Sequence, residues 1–298
     1  MTFWDWMKKK HDMPTTPPMS QPKQKSIESP VERYTQKPKE DVPKRATETK
    51  KNEQKYTDPK KEFLEVFKKI TYHHRAWDVW RDFVIMFACS LSNSVDKSHY
   101  DEREKRYLKT IKRYSKTKQA LFPELVAHTV MALEKNQEQD FLGDIFMSLN
   151  LGNGANGQFF TPYHVCDLMA KIAMGEDVAH QVKEKGYIAL HDPCCGAGAT
   201  LIAGIHEARR QLEKEEMNFQ NHVLVVAQDI DEIVALMCYI QLSLLGVAAY
   251  IKVGNSLTEP MTTDDDGKNY WFTLMYFSDV WATRRVFHRI DEFMKGDM

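Results

Sequence analysis

Two short stretches of the chain combine residue types able to hold a small ligand by its polar groups: GQFFTP at 157–162 and DPCCGAGA at 192–199. In the second, Gly196 and Gly198 can take positive φ and let backbone amides approach a bound group. The apolar run that follows predicts a helix over 199–212 whose N-terminus faces that group. A tight structural turn explains the two glycines equally well. Asp192, closing the strand-like YIALHD, is placed to accept from a ligand ammonium or amide. Asp229 closes the next strand-like run, VLVVAQD, where doubly wound nucleotide folds set a carboxylate against ribose hydroxyls. Asp231, two residues on, reads as the cap of the following helix. Asn255, in VGNSL, either offers an acceptor to an adenine amino group or is an ordinary turn Asn. In the first stretch, Thr161 and Pro162 suit the N-cap and first position of a helix beginning YHVCDLMAKIAM. Capping alone does not require Phe159 and Phe160 beside Gln158.

The elements that must position these residues alternate in type. Strand-like runs at 187–192, 223–229 and 248–253 are separated by helical stretches at 199–215 and 231–245. That order predicts a parallel sheet in a doubly wound, Rossmann-like α/β domain over 151–298. Upstream, Phe63, Leu64, Val66, Phe67 and Ile70 recur at helical spacing, as do Trp77, Trp80, Phe83, Val84 and Phe87, so 62–150 is predicted to be a helical region whose apolar faces form core. Within it, REKRYLKTIKRYSKTK at 103–118 sets Tyr107, Leu108, Ile111 and Tyr114 on one face and Lys105, Lys109, Lys112, Arg113 and Lys116 elsewhere. Such a basic surface either neutralises phosphates or is simply solvated.

Residues 1–61 differ in kind. They hold 15 Lys/Arg against 9 Asp/Glu, so the formal net charge of −1 conceals a basic arm joined to an acidic body. Residues 7–61 contain eight of the twelve prolines and few apolar groups, a composition that predicts disorder. Phe3, Trp4, Trp6 and Met7 precede it as an apolar cluster, either a docking peptide or an untethered terminus. Five cysteines without paired CxxC spacing suggest reduced thiols in a cytoplasmic protein rather than zinc ligands or disulfides. His73-His74 and the His164/Cys166 pair lack a completing ligand set, so no metal is expected. No run approaches the ~20 apolar residues of a membrane span.

The order GQFFTP, DPCCGAGATLI, VLVVAQDID, IKVGNSL resembles the modification subunits of type I restriction systems and related N6-adenine DNA methyltransferases. The resemblance is strong over about 150–260 and loose over 62–150. It implies an S-adenosylmethionine cofactor, DNA as substrate and, as partners, specificity or other modification-complex subunits. By the same resemblance, Gln158, Phe159, Phe160, Thr161 and Pro162 would wrap the methionine end of the cofactor, with Ala197, Gly198 and Ala199 along it. Asp229 would hold the ribose and Asn255 would face the adenine.

One departure bears on activity. These enzymes follow the third strand with a fourth ending in Asn/Asp-Pro-Pro-Tyr/Phe, which binds the target amino group while its aromatic stacks on the flipped base. Here the only proline after 255 is Pro260, and that tetrapeptide does not occur in the chain. The run from Tyr270 to Trp281 is apolar enough for a strand, and Asp279 could accept from an amino group, although an aromatic run of this kind is usually core. Catalytic residues therefore stay unassigned. Two expectations follow: a methyltransferase that works with a partner, or a catalytically silent relative that acts as a DNA- or protein-binding module of a restriction-modification or mobile-element system.

Overall fold

The computed structural model describes residues 58–151, 160–262 and 265–296. The expectations for the arm up to residue 57, for its apolar terminal cluster and for Gln158 and Phe159 fall outside these residues.

The described residues begin with the helical region, α1 (Pro59–Thr71), α2 (Ala76–Val95), α3 (Tyr100–Ile111), α4 (Lys116–Gln119), α5 (Phe122–Lys135) and α6 (Phe141–Ser148). The Asp58 side chain caps α1 by accepting from Lys60 N, with Pro59 just inside the helix, so the start is set by local chemistry. Phe63, Val66, Phe67 and Ile70 then fall on one face and are buried. They meet α2, whose Trp80 and Phe83 lie edge-on to Phe63 and Phe67 at centroid distances of 5.5 to 6.2 Å. Each such side chain, fully buried, contributes roughly 1.5–3 kcal/mol.

The basic segment is not one helix. α3 ends at Ile111, and a new turn starts where the Ser115 hydroxyl accepts from Lys118 N. Its arginines are largely used internally. Arg103 is buried and donates to Ser92 Oγ, to Asp96 Oδ2 at 3.0 Å and to the Tyr270 carbonyl at 2.7 Å. Arg106 makes a two-pronged pair with Glu232 at 2.6 and 2.7 Å, and Arg113 pairs with Asp82 at 2.9 Å. Lys105, Lys109, Lys112 and Lys116 are exposed, and so is Leu108, against the expectation that it packs.

After α7 (Tyr163–Met174) and α8 (Val178–Lys185), the chain enters β1 (Ile188–Asp192), α9 (Ala199–Glu213), β2 (Val223–Asp229), α10 (Glu232–Leu244) and β3 (Ala248–Val253). The three strands are parallel, with Ile188 opposite Val223 and Leu224 opposite Ala248. β4 (Tyr270–Phe272) pairs antiparallel with β3, and α11 (Asp279–Gly296) follows. The strand order is β1-β2-β3-β4, which makes β1 an edge strand.

Val223, Val225, Ala227, Ala249 and Ile251 are buried in the same apolar cluster as α9, α10 and the helices before the sheet, so a single core runs from Phe63 to β3. The other face bears Leu224 and Tyr250, on which Tyr270, Phe272, Tyr276 and Phe277 pack as a separate aromatic cluster. A doubly wound sheet covers both faces of every parallel strand. Here the mixed α/β architecture matches the expectation, but Ala189 and His191 on β1 are exposed, and among the described residues β1 has one neighbour only. No helix of the described residues is long and apolar enough to cross a membrane.

Candidate functional site

The turn between β1 and α9 is held in shape by two carboxylates. Asp192 Oδ1 accepts from Cys194 N at 3.0 Å and Oδ2 from the Thr200 hydroxyl at 2.6 Å, so the residue at the end of the strand clamps both the turn and the first turn of the helix. Asp229, from β2, accepts from Gly196 N at 2.8 Å through Oδ2 and from Asp231 N at 2.9 Å through Oδ1. Burial pushes the Asp229 carboxyl above its ordinary value against the pull of these two amides. Cys195 N donates to the Gln228 carbonyl at 3.0 Å, joining the turn to β2.

Two glycines are required here for stated reasons. Gly198 has φ +95°, and a Cβ would lie 2.8 Å from Cys238 Sγ, so it is the close approach of α10 that forbids a side chain. Gly196 has φ +52°, and its Cβ position is 3.5 Å from the Phe160 ring. That ring in turn packs on Phe146 of α6 at 5.3 Å. The aromatic of GQFFTP is thus a wedge between the helical region and the glycine turn.

A cleft opens at this turn, at the carboxyl end of β1. It is lined by Phe160 and Thr161, by Asp192, by Cys194 through Ala197, by Ala199 and Thr200, by Asp229 and Val234, and by Asp140. The sequence-predicted Phe160, Thr161, Asp192, Gly196, Ala197, Ala199 and Asp229 are therefore brought together. Gly198 stands behind the turn against Cys238. Pro162 is the N-cap of α7, with its carbonyl accepting from Val165 N and no side-chain cap; the helix starts one residue later than expected, and Thr161 lines the cleft instead of capping.

Asn255 is not among the lining residues. Its Oδ1 accepts from Leu257 N at 2.9 Å and Thr258 N at 3.3 Å, an Asx turn, although the adjacent Ser256 hydroxyl comes within 3.9 Å of Cys194 Sγ. Asp231 caps α10 as expected, accepting from Ile233 N at 2.8 Å. Among the described residues no lining residue lies beyond Val234. Tyr270 to Trp281 does contain a strand, but it lies against β3 with β2 and β3 between it and β1, so it brings neither its aromatics nor Asp279 to the cleft.

Asp140 was not singled out by its sequence. It is the N-cap of α6, and its Oδ1 accepts from Gly143 N and from Gln241 Nε2, both at 2.8 Å. Gln241 Nε2 also donates to the Ala197 carbonyl at 2.9 Å, and its Oε1 accepts from Leu142 N at 3.1 Å. One buried amide therefore ties the helical region to the ligand turn. Burial raises the Asp140 carboxyl above its ordinary value despite these donors. The one signal in the sequence was the Asp-x-x-Gly spacing in DFLG: a Cβ at Gly143 would sit 2.0 Å from Asp140 Oδ2.

Among the described residues the lining contains three carboxylates and no lysine, arginine or histidine. The thiols in the turn are free; a hydrogen bond with Cys238, then burial, push Cys195 well above its usual range, so it is held as a thiol. In a wider depression between α7 and α9, lined by Lys171, Glu176, Glu207, Arg210, Glu213 and Lys214, Arg210 is paired internally, at 2.8 Å from Asp167 and 3.2 Å from Glu207.

A glycine turn between the first strand and its helix, a carboxylate closing the second strand and an aromatic wedge from the preceding segment all fall within one stretch of the chain. Residues 137–295, more than half of its length, match the model of the N-6 DNA methylase family, and the chain belongs to that family.

Proposed function

We propose that this cleft binds S-adenosylmethionine and that the chain is the cofactor-holding part of a DNA adenine-N6 methyltransferase of the type I modification-subunit kind, acting with a partner in the cytoplasm. The observation that carries the reading is the charge of the cleft. Three carboxylates with no facing cation among the described residues disfavour nucleotide phosphates and favour a ligand bearing a sulfonium and an ammonium. The family normally uses this cofactor, whose sulfonium supplies an already activated methyl group. What the chain contributes is position: the turn 192–198 brings backbone without bulky side chains up to the ligand, Asp229 presents a partly desolvated carboxylate to a diol, and Phe160 and Thr161 close the near side.

The need for a partner is supported by the open side of the sheet. In open α/β sheets a ligand sits in the crevice between two strands that leave in opposite directions. Here the cleft lies at β1, whose free edge has no neighbour among the described residues, and no lining residue supplies an acceptor from a further strand. Next to it, α7 packs Cys166 and Ala170 on α9 and exposes Val165, Leu168, Met169 and Ile172, a second apolar stripe at helical spacing.

Calorimetry with S-adenosylmethionine tests the cofactor reading: binding by the wild type with a loss of at least about tenfold in Asp229→Ala is expected, and equal affinity for the two proteins refutes it. The missing tetrapeptide and the half-open cleft favour a second reading, a catalytically silent relative that serves a modification complex as a binding module. Tritiated-methyl transfer to unmethylated DNA, alone and with candidate subunits, separates the two, because methylation by the isolated chain excludes a silent role.

A further inference from the structure

The three carboxylates of the cleft are not equivalent, and their difference assigns one of them. Each oxygen of Asp192 already receives one donor, Cys194 N or the Thr200 hydroxyl, and so does each of Asp229, Gly196 N or Asp231 N. Asp140 is 8% exposed, yet only its Oδ1 receives hydrogen bonds, from Gly143 N and Gln241 Nε2. Oδ2 has no protein donor among the described residues. It is held over Gly143 at a place that any Cβ would occupy, in a residue that lines the cleft. An oxygen of a largely desolvated carboxylate left without a donor costs free energy that a bound cation offsets.

We infer that Asp140, not Asp192, is the seat of the ligand's α-ammonium group, with Asp192 acting as a clamp of the turn. This rests on the cofactor reading above. The amino-acid end of the ligand then lies toward α6, against Phe160 and Thr161, while Asp229 stands at the nucleoside end. Gln241, bonded to Asp140 and to the Ala197 carbonyl, makes the ammonium seat and the glycine turn one rigid unit.

The test compares Asp140→Asn and Asp140→Ser, both of which keep an N-cap acceptor for α6 while removing the charge. Each is titrated calorimetrically with S-adenosylmethionine, S-adenosylhomocysteine and methylthioadenosine. The first two carry the ammonium; the third lacks the whole amino-acid end. Both variants are expected to weaken the first two ligands by about tenfold or more and to leave methylthioadenosine unchanged, with thermal unfolding near wild type. Equal loss for all three ligands overturns the assignment in favour of a purely structural role. Loss for S-adenosylmethionine but not S-adenosylhomocysteine assigns the carboxylate to the sulfonium and also overturns it. Unchanged affinity for the first two, with the wild type binding normally, overturns this inference alone. A wild type that binds neither overturns the proposed function and this inference with it.

Discussion

Arg103 and Asp140 are both charged, both buried, and both lie where the helical region meets the sheet, yet they are provisioned in opposite ways. Arg103 has Asp96, Ser92 and the Tyr270 carbonyl as acceptors and lies 3.9 Å over the Trp271 ring, so its charge is matched in every direction. Among the described residues Asp140 has donors on one oxygen only, and it lines a cleft of like charge. A charge that is fully answered by its own chain serves the fold, and one left half-answered at a cavity is suited to a ligand. The same contrast separates the two ends of the sheet: β4 is covered by an aromatic cluster, whereas β1 keeps an exposed face and a free edge beside the cleft.

The largest effect is expected where the charge is fully answered. Arg103→Met leaves Asp96, itself entirely buried, short of a partner, and should cost about 3–5 kcal/mol of stability measured by denaturant unfolding. Burial alone would raise the Asp96 carboxyl, but His99, Ser98 and Arg103 together hold it well below the usual carboxylate range. With the folded value depressed, its stabilising contribution is present above an unfolded value of about 3.9 and disappears as pH falls through the folded one. The acid transition of Arg103→Met should therefore move to higher pH. A variant with unchanged stability and acid transition would show that this network is not what joins α2, α3 and β4.

A smaller loss, but one that reaches the ligand, is expected at the turn. Gly198→Ala forces a Cβ to within 2.8 Å of Cys238 Sγ at φ +95°, costing about 1–3 kcal/mol and displacing the amides that line the cleft. Gly186→Ala is the matched control, since its φ is +83° but nothing lies within 4 Å of the added carbon. It should destabilise by about 1 kcal/mol with no change in S-adenosylmethionine affinity, whereas Gly198→Ala should lose both. Equal behaviour in the two variants would mean that backbone strain, and not the approach of α10, is what the turn glycine resolves.

The turn was legible in the sequence because its chemistry is local: DPCCGAG carries its own glycines and clamp, and the ends of β1, β2 and β3 match the apolar runs. What escaped depends on contacts between distant residues. Asp140 looks like any helix cap until Gln241, about a hundred residues on, reaches it. The direction of β4 was hidden for the same reason, since three residues, Tyr270 to Phe272, read alike in parallel or antiparallel pairing and only their register against Tyr250 to Lys252 decides. Asn255 was ambiguous at the outset, and the structure fills its Oδ1 with the amides of its own turn.

The smallest effect should come from the surface beside the open strand. Leu168 is 59% exposed and Ile172 74%, on the face of α7 turned away from α9. Replacing both with glutamine removes apolar surface that the isolated chain does not bury, so its thermal stability should change by no more than about 0.5 kcal/mol for each site. S-adenosylmethionine affinity should likewise stay as in the wild type, because neither side chain lines the cleft. If the stripe is instead the seat of a partner that completes the site at β1, the same double variant should lower methyl transfer by the assembled complex while leaving cofactor binding intact. A fall in the stability of the chain alone would show that the stripe is already covered by its own residues, and would remove it as support for a partner at that edge.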